Sequence, residues 1–306
     1  MNNIKQVKRI LTEFQDNLAI IVGNGINHKF NKDVFSWNQL LLELWNNFSK
    51  ENLDCVPKGI SFPEFMDVLE LASWQKHKKV SENIYKIQKA IQSKLFDLEP
   101  NNEFRYFLNR IKKNNYPLLT TNYDDLIQKS LSLNFYKMTT KGFTDFYPWA
   151  CYYSDQKLSN PLEGFGVWHI NGMIKYFRSI KISLTQYMGN VYRARTFIHG
   201  SSDSTIYSEK NQNSWRGKDS WLHIVFNKSI LIFGLSLDEN ESFLRWLLIE
   251  RARYFKHFPN RKHSGFFITT EQDPTNSKGR SFFLRNVGIK EISLPTFNTL
   301  YEDIWD

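Results

Sequence analysis

The sequence has few of the side chains that usually build disulfides and metal sites. Its 306 residues include only two cysteines, Cys55 and Cys151, which lie far apart in the chain and form no CxxC pair. A disulfide framework and a four-cysteine zinc site are therefore excluded. There is also no HExxH motif and no clustered carboxylate motif. We expect isolated packing cysteines and a protein that requires no metal ion.

Long apolar runs are missing as well. No stretch of about 18 apolar residues could cross a bilayer, whereas a hydrophobic content of 41% with 16% aromatic residues argues against disorder. Residues 1–5 lack the apolar centre of a secretion signal, and the following segment spaces its apolar residues as one helical face, at Ile4, Val7, Ile10, Leu11 and Phe14. We expect a cytoplasmic protein without membrane contact, with an amphipathic first helix available to a partner.

The net charge is +9, but the 40 basic residues form no long block. One dense group stands out: Arg251, Arg253, Lys256, His257, Arg261, Lys262 and His263. It is either a solvated helix end or a contact surface for nucleic acid or an acidic partner.

Short apolar segments repeatedly end in glycine or polar residues, which is typical of strands in a parallel sheet. The predicted strands are residues 18–22, 116–119, 166–170, 229–233, 265–269 and 289–294. Helical patterns separate most of them. The sequence therefore predicts an α/β fold, with a Rossmann-like parallel sheet flanked by helices.

A helical lobe is predicted at about residues 35–115, between the first two strands. Ser36 with Gln39 and Ser61 with Glu64 have capping-box spacing, and each pair precedes an apolar stripe of helical period. An insertion of this size is far longer than a usual crossover. We interpret residues 1–306 as a single domain that carries this lobe.

Two segments show no regular period. The chain beyond Asn134 is irregular and rich in aromatic residues until about residue 166, and residues 200–218 are rich in Ser, Asp and Asn. The second segment is predicted to be an exposed loop.

Two glycine loops follow predicted strands. Gly23 and Gly25 allow the backbone to approach a phosphate closely, and Gly234 begins a second such unit. Two glycines alone are weak evidence, because the dehydrogenase pattern needs a third glycine and an acidic residue after a second strand. Neither is present here.

Polar side chains at two other strand ends have two interpretations each. Asn122 and Asp124 would face a ligand crevice beyond the carboxyl end of their strand, but both residue types also cap helix N-termini. His169 precedes Asn171 and Gly172 at a strand end, which favours catalysis, although a lone histidine is more often a structural hydrogen-bonding group.

Four motifs stand in order along the chain: Gly23-Asn24-Gly25-Ile26-Asn27, Thr120-Thr121-Asn122-Tyr123-Asp124, His169-Ile170-Asn171-Gly172 and Gly234-Leu235-Ser236-Leu237-Asp238. Together they resemble the sirtuin-like NAD-binding family. The segment Trp37-Asn38-Gln39-Leu40-Leu41 resembles the prokaryotic anti-phage defence branch of that family. The four-cysteine zinc module and the Pro-Asp-Phe-Arg segment of deacylating sirtuins are absent, which argues against protein deacylation.

The resemblance implies roles for the motif residues. Asn122 would position water or the ribose, Asp124 would hold the carboxamide and His169 would act as general base. The residues implied to bind NAD are Gly23, Gly25, Asn27, Thr121, Gly234, Ser236 and Asp238. Loss of nicotinamide creates an oxocarbenium-like centre, so an orienting amide and a base suit this chemistry.

The resemblance favours an NAD glycohydrolase that cleaves NAD to nicotinamide and ADP-ribose and acts in anti-phage defence by NAD depletion. The alternatives are a non-catalytic module that senses NAD or ADP-ribose, and a protein ADP-ribosyltransferase. The resemblance also implies a homo-oligomer, or activation by a partner such as a HerA-type ATPase or an Argonaute-type sensor.

Overall fold

A computed structural model of the chain describes residues 2–31, 34–74, 80–200, 203–208, 212–275 and 277–305. These residues form one eight-stranded sheet in the order β3-β4-β5-β2-β1-β6-β7-β8. The strands are β1 Leu18–Val22, β2 Leu118–Thr120, β3 Asn134–Lys137, β4 Cys151–Ser154, β5 Val167–His169, β6 Ser229–Phe233, β7 Gly265–Thr270 and β8 Lys290–Leu294. All pairs are parallel from β5 to β8, whereas β3 and β4 form an antiparallel edge. The predicted α/β fold with a Rossmann-like sheet is confirmed.

Helices flank this sheet. They are α1 Asn2–Glu13, α2 Gly25–Phe30, α3 Trp37–Phe48, α4 Phe62–Ala72, α5 Val80–Phe96, α6 Asn102–Lys113, α7 Leu126–Ser130, α8 Leu184–His199, α9 Trp221–Asn227, α10 Ser242–His257, α11 Lys278–Asn286 and α12 Phe297–Tyr301. Short 3-10 turns occur at Gln15–Asn17, Ile174–Ser179, Pro259–Arg261 and Asp303–Trp305. Among the described residues, no helix is both long and apolar enough to cross a membrane.

The sheet is apolar on both faces, as a parallel sheet covered by helices must be. Strand β1 shows this in its alternation, because Ala19 and Ile21 belong to one core cluster and Leu18, Ile20 and Val22 to the other. All five residues are 1% exposed or less. Each Å² of apolar surface buried contributes about 25 cal/mol of stabilisation, so burial on both faces stabilises this centre of the fold.

Helices α3, α4 and α5 share a third core cluster. The capping boxes predicted at Ser36 and Ser61 are both formed and begin α3 and α4. This cluster also contains Tyr123, which lies just beyond the end of β2. Helices α3, α4 and α5 therefore pack against the polar end of the sheet, whereas α6 contributes Phe104, Phe107, Leu108 and Ile111 to the core on one face of the sheet.

The edge strands β3 and β4 lie in the aromatic segment that the sequence predicted to be irregular. Their register places Tyr136 opposite Tyr152 and Phe135 opposite Tyr153. The first pair stacks with ring centroids 5.7 Å apart. Four-residue strands give little periodic signal, so cross-strand aromatic pairs decide this pairing.

The segment at residues 200–218 is not simply an exposed loop. Ile206 and Trp215 are 0% exposed and join the core beneath α9 and α10. Residues 201–202 and 209–211 lie outside the described residues. The many polar residues of this segment favoured the prediction of an exposed loop, although Ile206 and Trp215 pack in the core.

Two predicted contact surfaces also need correction. Val7 and Ile10 of α1 are buried in the core, so the apolar face of this helix is used within the chain.

The basic group near residue 251 is the second surface. Arg251 is 2% exposed, and its guanidinium donates to the carbonyl oxygens of Val225, Lys228, His263 and Ser264. Burial lowers the pKa of Arg251 to about 9. Arg251 is therefore a structural cation and not part of a basic surface.

Candidate functional site

The carboxyl ends of β1, β2, β6 and β7 border a cleft of about 850 Å³. Four of the residues predicted to bind NAD line it: Gly25, Thr121, Gly234 and Ser236. The opposite side is built by residues after β7 and β8 that the sequence did not indicate, among them Asp273 and Tyr301. The volume is within the usual range of about 300–1,000 Å³ for ligand pockets.

The two glycine loops contact each other at the base of this cleft. The Gly25 backbone N–H donates to the Gly234 carbonyl over 2.7 Å. A Cβ atom on Gly25 would lie 2.7 Å from that oxygen, and one on Gly23 would lie 2.5 Å from the Leu235 Cβ. Gly234 also has φ +69°. These glycines are thus required first by the close approach of two loops, which then present their backbone to the cleft.

A small cavity of about 30 Å³ adjoins the cleft and is bordered by Asn122, Asp124 and Trp37. Asn122 is 6% exposed, and its side-chain Nδ2 has no hydrogen-bond partner among the described residues. Its backbone N–H donates to Thr120 Oγ1 over 3.1 Å, so the residue is held by its main chain. A buried amide without a partner is costly unless a ligand or water completes it.

Asp124 serves the local structure as well as the cavity. Its Oδ1 accepts from the Leu126 N–H over 3.1 Å, at the start of α7, and its Oδ2 accepts from Asn27 Nδ2 over 2.8 Å. Asp124 therefore satisfies a first-turn N–H of α7, although the N-cap position itself is occupied by Asp125. Burial raises the pKa of Asp124 to about 6, although hydrogen bonds from Leu126, Asn27 and its own backbone lower it. Asn27 and Gly23 support the site from behind and do not line the cleft.

His169 lies behind Asn122. It is 1% exposed and lines neither the cleft nor the small cavities beside it. Its Nδ1 is 2.7 Å from the Asn122 carbonyl oxygen and must donate, so Nε2 accepts from the Gln128 amide nitrogen at 3.3 Å. Burial lowers the pKa of His169 to about 4, and the ring is neutral at physiological pH. The structure brings His169 to Asn122 but not to the cleft.

A second small cavity, of about 70 Å³, was not predicted. Asp238 borders it together with Asn171, Glu241 and Trp37. Asp238 also accepts from the Asn240 N–H over 2.9 Å through Oδ1. Trp37 borders the cleft and both small cavities, although the sequence indicated it only as a helix residue within the Trp37–Leu41 segment and not as a cavity residue. Its ring meets Tyr123 edge-on at 5.6 Å.

No group of three or more His, Cys, Asp or Glu side chains within the described ranges could hold a metal ion. The polar groups around the cleft include amides, hydroxyls and two carboxylates, together with His28 and Lys29. Such groups suit a ligand with ribose hydroxyls and a carboxamide.

A cleft at the carboxyl ends of parallel strands, with glycine loops at its base, defines a Rossmann-like nucleotide-binding protein. A family model described as a SIR2-like domain matches residues 117–292, which is more than half of the chain. The chain therefore belongs to the SIR2-like family, as the four motifs indicated. Its function is accordingly NAD-related. A search of curated proteins finds no match to this chain.

Proposed function

We propose that this protein is an NAD glycohydrolase that cleaves NAD to nicotinamide and ADP-ribose. The observation that carries the proposal is the unpartnered amide of Asn122, buried beside a nucleotide-sized cleft. An uncharged amide at this position can orient the ribose or the carboxamide by hydrogen bonds. It adds no positive charge beside the oxocarbenium-like ribose carbon. The SIR2-like family match supports NAD as the substrate.

The position of each cleft residue suggests which part of NAD it would contact. Gly25, Gly234 and Ser236 offer backbone groups and a hydroxyl along the cleft, and Thr121 stands where the cleft meets the 70 Å³ cavity. Asn122 borders the 30 Å³ cavity, which shares Trp37 and Tyr123 with the 70 Å³ cavity. This arrangement supports binding of the nucleotide in the cleft with its nicotinamide end directed toward Asn122 and Asp124.

His169 has a narrower role in the described conformation than a general base. Its N–H holds the Asn122 carbonyl, so it positions Asn122 and acts on the reaction through it. Direct proton transfer would require the ring to leave Gln128. The same observation favours the alternative of a non-catalytic module that binds NAD or ADP-ribose, because both ring nitrogens are already engaged.

The test is release of nicotinamide from NAD by the purified protein. Asn122→Ala should abolish release while thermal stability stays close to that of the wild type. His169→Ala should also reduce release strongly, but it should lower thermal stability as well, because the buried ring holds the Asn122 carbonyl and the Gln128 amide. Asn52→Ala and His257→Ala are matched controls on exposed residues and should leave the rate unchanged. Near wild-type release by both site variants would remove the catalytic assignment, and NAD binding without any release by the wild type would favour the sensing module.

We further propose that NAD cleavage serves anti-phage defence, and that assembly into a homo-oligomer or binding of a partner raises the activity. Support comes from the resemblance of Trp37–Leu41 to the defence branch. Nicotinamide release should rise more steeply than protein concentration, in parallel with the mass of the assembly. A monomer that is fully active at every concentration, with no added partner, would contradict this.

A further inference from the structure

The 70 Å³ cavity is continuous with the cleft but enclosed by the inserted helices. Trp37, Thr121, Ser236 and Glu241 border both spaces. Leu41 of α3 and Met66 of α4 close the far wall. The cavity therefore opens toward the point where the cleft reaches Thr121.

The loop that carries Glu241 is tied to the helices. Asn240 Oδ1 accepts from the Phe62 N–H at the start of α4 over 2.8 Å. This bond holds the wall and the loop together, so the cavity is a defined feature of the fold.

Two side chains in this cavity carry acceptor oxygens without protein partners, although the Asn171 Nδ2 donates to the Thr121 carbonyl over 3.5 Å. Asn171 is 4% exposed, and its Oδ1 accepts no hydrogen bond from the described residues. The carboxylate of Glu241 likewise forms no hydrogen bond or ion pair within the described part of the chain. Acceptor groups left free in a cavity that also contains hydroxyl and amide side chains are suited to a ligand that donates hydrogen bonds.

We propose that this cavity is the acceptor site of the reaction, that it takes a water molecule, and that Glu241 accepts the proton of that water. The proposal rests on the proposed function and names its second substrate. Trp37 and Tyr123 border both small cavities, so Asn122 and the proposed water occupy separate spaces lined by the same two rings. Water would thus approach the ribose carbon from a different side than the nicotinamide leaves.

The step balances without another reactant. The bond between ribose C1′ and the nicotinamide nitrogen breaks, and its electron pair neutralises the pyridinium ring. The water oxygen bonds to C1′ and its proton passes to the Glu241 carboxylate and then to solvent. The products are nicotinamide, ADP-ribose and a proton.

The size of the cavity selects the acceptor. A cavity of about 70 Å³ is small and has room for a few water molecules. It leaves no room for a polypeptide segment, which favours hydrolysis over transfer of ADP-ribose to a protein.

The electrostatics of Glu241 agree with this geometry. Burial, together with the nearby Asp238 carboxylate, raises the pKa of Glu241 to about 7. A base whose pKa lies near the working pH is the most effective proton acceptor. His169, with a pKa lowered by burial to about 4, is much less suited to this step.

The experiment compares hydrolysis with nicotinamide exchange in the full chain. Exchange of labelled nicotinamide into NAD needs cleavage at C1′ but no proton acceptor. Glu241→Gln should reduce ADP-ribose formation about 100-fold or more, the usual contribution of general base catalysis, while exchange and NAD binding persist. Glu239→Gln, an exposed neighbour, should leave both reactions unchanged.

Methanol provides a second measurement. If the cavity selects by size, Met66→Ala should raise the ratio of methyl ADP-riboside to ADP-ribose, because it enlarges the cavity wall. Hydrolysis by Glu241→Gln at the wild-type rate, or loss of exchange together with hydrolysis despite intact NAD binding, would overturn the acceptor site alone. A wild-type chain that binds NAD but neither releases nor exchanges nicotinamide would overturn the proposed function, and the acceptor site with it.

Discussion

Replacement of Asp124 by Asn should change how stability depends on pH. Asp124 is 5% exposed, and burial raises its pKa from 3.8 to about 6. Because the folded-state pKa lies above the unfolded-state pKa, the folded protein prefers the protonated carboxyl. Its favourable contribution is fully present below about pH 4 and is lost as the pH rises through about 6.

The magnitude follows from the two pKa values. A difference of about two pKa units between the folded and unfolded states changes the free energy of unfolding by about 3 kcal/mol. Asparagine keeps an oxygen that can accept from Asn27 but loses the bond to the Leu126 N–H. That loss is independent of pH. It therefore shifts the stability of Asp124→Asn relative to the wild type by a constant amount at every pH.

Urea unfolding at a series of pH values from about 4 to 8 would measure this. The stability of the wild type relative to Asp124→Asn should fall by about 3 kcal/mol over that range. The exposed Asp97→Asn is the control, and its difference from the wild type should stay nearly constant. A flat difference for Asp124→Asn, or one that rises with pH, would refute the reasoning.

Three further predictions concern stability and metal dependence. Gly25→Ala should lower the free energy of unfolding by about 1–3 kcal/mol in urea, because its Cβ would overlap Gly234, whereas Gly279→Ala in open space should be neutral or stabilising. Arg251→Met should cost at least about 2 kcal/mol, since several buried carbonyls lose their donor, whereas the exposed Arg253→Met should cost less than about 1 kcal/mol in the same assay. EDTA should not reduce nicotinamide release, and stoichiometric zinc in untagged protein would contradict this.

Most strands were predictable because each is a short apolar run with a clear end. Segments 18–22 and 229–233 coincide with β1 and β6, and α3 and α4 begin at their predicted capping boxes. Strands β3 and β4 were not predictable, because they are held by pairing with each other at the sheet edge. Cross-strand partners are distant in sequence and leave no local period.

The candidate site shows the same division. The motif residues Gly25, Thr121, Gly234 and Ser236 line one cleft, because parallel strands bring their carboxyl ends to one edge. Trp37 and Glu241 were missed as cavity residues, since each lies beside a helix start that explains it equally well as a packing or terminal residue. The order of residues along the chain does not show which side chains point into a cavity.

By itself the sequence determined the order of the parallel strands and the starts of α3 and α4, because local apolar period, capping boxes and glycine turns act within a few residues of each other. It also determined which strand ends carry polar groups. Only the tertiary structure decided that His169 turns toward Asn122 and Gln128, that Arg251 is buried, and that Glu241 faces a cavity closed by inserted helices. These outcomes depend on packing between segments far apart in the chain, where burial changes both the partners and the pKa of each charged group.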